Sequence, residues 1–119
     1  MKKISEKTSL EDMIGIIVSH LGNRGISVVL VGGAAVSIYT DNKYMSKDID
    51  FISSEDHKKI ASAMAELGFK SKGKDFYHPH TRFTVEFPSG PLGIGNQVPI
   101  KPEGQIKING ITVKMFSPT

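Results

Sequence analysis

The sequence predicts an α/β (α+β) fold, a mixed β-sheet with helices packed against it. Two amphipathic helical stretches, near residues 9–21 and 54–67, are separated by short β-branched runs. After Phe69 the pattern turns to alternating and hairpin-forming sequence. The resulting order, α-β-α-β-α-β-β-β-β, suits helices laid on one sheet rather than a bundle or a sandwich.

The first helix is expected from Ser9 to Leu21. Leu10, Met13, Ile14, Ile17 and Leu21 recur at helical spacing, Ser9 can cap with Asp12 three residues on, and Gly22 can end the helix. Ile26 to Val31 is a continuous apolar run that suits a strand buried on both faces. The alanines between Gly33 and Tyr39 permit a short helix starting at the strand's end, and Asp41 to Lys47 reads as a polar loop. Ile49 to Ile52 reads as a second buried strand. Ser54 is the expected cap of a helix running to Leu67, with Ile60, Ala61, Met64 and Leu67 on its apolar face and Gly68 as its stop. Phe76–His78 and Arg82–Phe87 are strand candidates around a turn at Pro79. Gln105–Ile108 and Ile111–Phe116 flank Asn109-Gly110, the signal of a two-residue type I′ hairpin turn. The Gly- and Pro-rich "PSGPLGIGNQVP" between them is a loop, and Asp75 and Glu103 fall in loop-like sequence.

At 119 residues the chain supports a single core and hence one domain, residues 1–119. It has no cysteine, which excludes a disulfide framework and thiolate metal sites. No stretch approaches the roughly 18 apolar residues of a membrane span, and Glu6, Glu11 and Asp12 interrupt what Lys2 and Lys3 might open as a signal peptide. The chain is expected to be soluble, cytoplasmic and free of membrane contact. Fifteen basic and 12 acidic residues leave a net charge of +3, a mild bias rather than a nucleic-acid stripe. The lysines at 58–59 and 70–74 read as solvated surface.

The chemistry concentrates in "VVLVGGAAVSIYTDNKYMSKDIDF", Val28 to Phe51. A strand that stops at Gly32-Gly33 and passes into a helix exposes backbone N–H groups at the positive end of the helix dipole, an anion site suited to a polyphosphate. A tight turn that needs glycine only for sterics is the plainer reading of the pair. In Asp48-Ile49-Asp50-Phe51, period two puts both carboxylates on one face and the apolar pair on the other. Carboxylates so placed repel each other unless a cation lies between them, and Mg²⁺ prefers such oxygen ligands; turns and caps also produce the tripeptide by chance. In "RFTVEF", Thr84 and Glu86 alternate with Phe83, Val85 and Phe87, so Glu86 leaves an otherwise apolar strand either into solvent or toward a cation. His57, His78 and His80 lack the further ligands of a zinc site, and "GPLGIG" does not stand between a strand and a helix, as a dinucleotide fingerprint must.

Taken together, Val31-Gly32-Gly33, fourteen intervening residues (34–47), Asp48-Ile49-Asp50-Phe51 and the later Glu86 resemble the DNA polymerase β-like nucleotidyltransferase superfamily. Within it the chain looks most like small prokaryotic nucleotidyltransferases related to abortive-infection toxins, as in toxin–antitoxin systems. They share the Gly-Gly-Ala helix start, a Ser or Thr two residues before the first aspartate (here Ser46) and a segment like "VEFPSGPLGIG". The resemblance runs from about Ile26 to the C-terminus. The spacer is slightly long, and an arginine common before the aspartates is absent, leaving Lys43 or Lys47 for its place.

The resemblance implies a nucleotidyltransferase-like core in which Asp48, Asp50 and Glu86 are catalytic and hold two Mg²⁺ ions. Gly32, Gly33, Ser46 and Lys47 would bind the NTP. An NMP group would pass to a hydroxyl on an acceptor, RNA (tRNA among them), protein or a small molecule, by in-line displacement. The alternative is an inert relative, a nucleotide-binding, antitoxin-like or regulatory module. Such relatives continue into a helical part, and Ser117-Pro118-Thr119 suits the start of another helix. The chain is therefore expected to be a catalytic core lacking that part, and to self-associate or take a partner chain.

Overall fold

The structure is a computed structural model; it describes residues 4–31, 47–87, 104–108 and 110–115. The expected helix over Gly33–Tyr39, the loop before Lys47, the Gly/Pro-rich loop, Glu103 and the last residues lie outside the described residues.

Helix α1 (Leu10–Asn23) starts as its sequence predicts: the Ser9 hydroxyl accepts from Asp12 N at 3.1 Å, and Glu11 and Asp12 lie in the first turn, where the helix dipole favours acids. Leu10, Met13, Ile14, Ile17 and Leu21 are buried along one stripe. The helix ends later than Gly22. The left-handed position is Gly25 (φ +76), where Gly25 N donates to Gly22 O and Ile26 N to Leu21 O, and Ile26 is buried against the helix end.

Strand β1 (Val29–Val31) is shorter than the apolar run, although Ile26 and Val28 are buried ahead of it. Strand β2 (Asp48–Ile52) alternates as expected, with Ile49 and Phe51 fully buried. Helix α2 (His57–Glu66) is capped by Asp56, not Ser54; the Asp56 carboxylate accepts from Lys58 N at 3.3 Å. The nearby Ser53 hydroxyl is engaged instead with Ser27 O and Glu55 N. The α2 end repeats that of α1: Gly68 (φ +98) N donates to Ala65 O and Phe69 N to Met64 O.

Strand β3 (Lys70–Lys72) is one the sequence reading does not anticipate. Gly73 (φ +65) turns it into β4 (Asp75–Tyr77). The reading of Asp75 as loop is thereby corrected: Phe76, its neighbour, is fully buried and draws the segment into the sheet. Strand β5 (Thr84–Glu86) and the hairpin β6 (Gly104–Ile108) and β7 (Ile111–Met115) complete the set. Gly110 turns the hairpin at φ +81, with Ile108 facing Ile111.

Among the described residues these strands form one mixed seven-stranded sheet in the order β3-β4-β5-β2-β1-β7-β6. β1 pairs antiparallel with β2, while β2–β5 and β1–β7 are parallel. Leu30, Ile49, Phe51, Phe76, Val85, Ile108 and Val113 form the sheet's half of the core under both helices. The helices touch each other: His20 Nε2 lies 3.0 Å from both Ala63 O and Glu66 Oε1, and Arg24 Nε lies 2.8 Å from the same Glu66 oxygen. Phe87 joins the other two core rings of this region, stacking on Phe51 and meeting Phe76 edge to face, each at 5.6 Å between ring centres.

Candidate active site

The alternation that buries Ile49, Phe51, Val85 and Phe76 sends their neighbours to the other face of the sheet, away from the helices. There the parallel register sets Asp48 against Thr84 and Asp50 against Glu86. The antiparallel pairing on the far side of β5 sets Asp75 against Glu86. Val31, the last residue of β1, lies against Asp50. Gly32, Gly33 and Ser46 lie outside the described residues. Lys47 is exposed, and its carbonyl accepts from Thr84 N at 3.0 Å, which joins the start of β2 to β5.

Three carboxylates act on Asp50. Burial first, then the charges of Glu86, Asp48 and Asp75, push its carboxyl above its ordinary pKa. Lys74 offsets part of this charge: its Nζ lies 3.5 Å from Glu86 Oε2, with both side chains partly exposed. Such a pair is worth only about 0–1 kcal/mol and yields readily to a stronger cation. Among the described residues no three His, Asp or Glu side chains are gathered closely enough to hold an ion. The two observations differ in range, since Coulombic repulsion acts over several ångströms whereas Mg²⁺ ligands must approach to about 2.1 Å. In donor chemistry the group, all oxygen and multiply anionic, fits a hard divalent cation.

Asp75 is the member that sequence reasoning missed. Its signal was the alternation in Asp75-Phe76-Tyr77 behind the glycine turn, too short to stand out alone. The histidines are engaged elsewhere. His78 Nε2 donates to Leu67 O at 3.1 Å, and His78 Nδ1 accepts from the His80 N–H at 3.0 Å; the second bond requires the neutral tautomer with its proton on Nε2. Burial holds the His78 pKa below its ordinary value. His57 stacks on Phe76.

With this geometry established, likeness to known proteins becomes informative. The family model of nucleotidyl transferases of unknown function (DUF2204) matches residues 10–74, more than half of the chain. The chain belongs to that family. The matched span contains Asp48 and Asp50 and ends before Asp75 and Glu86. No curated protein matches the chain. Among solved structures, the fold is similar to that of an antigenic nucleotidyltransferase-like protein from Paracoccidioides brasiliensis, with a TM-score of 0.60 and 22% identity over 96% of this chain. The chain spans 63% of that protein's length. At that identity the likeness speaks for the fold, which is nucleotidyltransferase-like. No helix among the described residues is long and apolar enough to cross a membrane.

Proposed function

We propose that this nucleotidyl transferase family member moves an NMP group from an NTP to an acceptor hydroxyl, with Asp48, Asp50 and Glu86 as its acidic centre. The observation that carries the reading is the register: Asp50 and Glu86 face each other on adjacent parallel strands, with Asp48 two residues away on the same face. Burial first, and then the charges of Glu86, Asp48 and Asp75, hold the Asp50 carboxyl above its ordinary pKa, which a bound cation would offset. Asp48, Asp50 and Glu86 would hold the magnesium ions, which supply charge neutralisation for the triphosphate and acidify the acceptor hydroxyl. In the transfer, the acceptor oxygen bonds to the α-phosphorus, the bond to the bridging oxygen breaks, pyrophosphate leaves and the hydroxyl proton passes to solvent. The Gly32 and Gly33 amides, with Ser46 and Lys47, are the groups proposed for the phosphates, because β1 ends beside Asp50. The protein's contribution is positioning and fixed charge.

A second reading, an inert nucleotide-binding or regulatory module, is favoured by one observation. Lys74 supplies Glu86 with a cation of its own. Incubation with Mg²⁺, each labelled NTP and pools of tRNA and protein separates the two. The transferase reading expects label on an acceptor. It further expects Glu86→Gln to retain nucleotide binding while losing transfer on the order of a hundredfold. Nucleotide binding without label on any acceptor supports the inert module.

A further inference from the structure

The face that holds the carboxylates carries lysines in an arrangement the acidic centre does not account for. Register defines two rows across the strands. In the first, Lys72 faces Asp75, Asp75 faces Glu86 and Glu86 faces Asp50. In the second, Lys70 faces Tyr77, and Thr84 faces Asp48. The pairing of Asp75 with Glu86 and Phe76 with Val85 brings Tyr77 level with Thr84 and closes that row. Lys70 and Lys72 are exposed and, among the described residues, make no ion pair. Tyr77 is 44% exposed, the one large hydrophobic side chain so placed among the described residues.

Lysines on an edge strand commonly serve to block pairing with another sheet. That role explains Lys70 and Lys72. It does not explain the half-exposed ring of Tyr77 one strand further in, between those lysines and the carboxylates, whose hydroxyl donates to Asp75 Oδ2 at 3.5 Å while part of the ring stays open to a ligand. Cations that meet phosphates, together with a ring that can stack on a base, are the two elements of single-strand recognition. An acidic peptide would use the lysines and leave the ring idle.

We propose that the β3–β4 edge binds a single-stranded nucleic acid, the acceptor of the transfer, with Lys70 and Lys72 on its phosphates and Tyr77 stacked on a base. Strands spaced about 4.8 Å apart set Tyr77 about 10 Å and Lys70 about 14 Å from Asp48 across the sheet. At about 3.4 Å per nucleotide of a stacked strand, that is three to four nucleotides from the reacting end. The role as acceptor rests on the transferase reading above; the binding surface itself does not.

The test is fluorescence anisotropy with the full chain and a labelled oligouridylate of about 12 nucleotides, without NTP, at about 50 mM salt. The parent is expected to bind. The double variant Lys70→Glu/Lys72→Glu should weaken binding at least about tenfold and reduce the magnitude of the log–log salt slope by about 1.4. Tyr77→Ala should weaken it about five- to tenfold with the slope unchanged. Lys58→Glu, on α2 across the sheet, should change it less than about twofold. All four substitutions are at exposed positions, and unchanged thermal melts confirm folding. A parent that fails to bind, lysine or tyrosine variants that bind like the parent, or a duplex that competes as well as the single strand would each overturn the proposal. The two readings fail separately: oligouridylate binding without Mg²⁺·NTP stabilisation removes the transferase and leaves the surface, and the converse removes the surface alone.

Discussion

At the scale of single residues, Asp50 is where the fold works against itself. Its carboxyl is raised above its ordinary 3.8 by burial and by three neighbouring acids, so folding favours its protonated form. The sign follows from linkage. Below 3.8 the group is neutral folded or unfolded and contributes nothing. As pH rises from there through the elevated folded value, ionisation destabilises the native state, and above that value the full penalty remains. Asp50→Asn is therefore expected to raise the melting temperature by roughly 1–3 °C at neutral pH, to give no gain near about pH 3, and to abolish transfer. A melt series across pH checks it; a variant less stable than the parent at neutral pH would show that Asp50 holds a structural bond instead. On the proposed function, the same residue would trade stability for activity.

At the scale of elements, both helices end in the same hydrogen-bonded motif, but the glycines within it differ in surroundings. A Cβ on Gly25 would meet nothing within 4 Å, so Gly25→Ala carries only the backbone term of a positive φ, about 1 kcal/mol. A Cβ on Gly68 would lie 2.8 Å from His78 Nε2, on a ring fixed at both nitrogens. Gly68→Ala should therefore cost more, about 2–3 kcal/mol, since the ring must leave Leu67 O and the His80 N–H. Chemical denaturation of both variants measures the difference. Equal losses would mean that the β4–β5 turn does not constrain the end of α2. The Gly68–His78 contact also links the helix to the strands that carry Asp75 and Glu86, so this turn helps to place the acidic residues.

For the whole molecule, the proposed function makes the native state a binder of Mg²⁺·NTP. A ligand that binds only the folded chain raises its melting temperature, by several degrees at about a hundred times its Kd. The shift should vanish on chelation and in Asp48→Asn. That variant should retain or exceed the parent's stability without ligand, because removing a charge relieves Asp50. A shift that survives chelation would assign nucleotide binding to a site other than the carboxylates.

What was legible in the sequence is what neighbours along the chain decide. The Ser9 cap, the stripe from Leu10 to Leu21, the hairpin turn at Gly110 and the common face of Asp48 and Asp50 all follow from periods and bonds of a few residues. The Asp56 cap and the Gly25 stop lay within three residues of the positions expected, where several polar or glycine residues compete and only the settled backbone chooses between them. Strand β3 could not be read, because Lys70-Ser71-Lys72 has no apolar period and exists as a strand only through its pairing with β4. The sequence alone thus placed Asp48, Asp50 and Glu86 in extended segments but left Asp75 in a loop, and local pattern did not set those strands beside one another. That β5 lies parallel to β2, bringing Glu86 to Asp50, and that β4 adds Asp75 and Tyr77 to the same face, were decided by tertiary structure. The physical reason is that burial of Ile49, Val85 and Phe76 in one shared core fixes which strands pair, and local sequence carries no record of that choice.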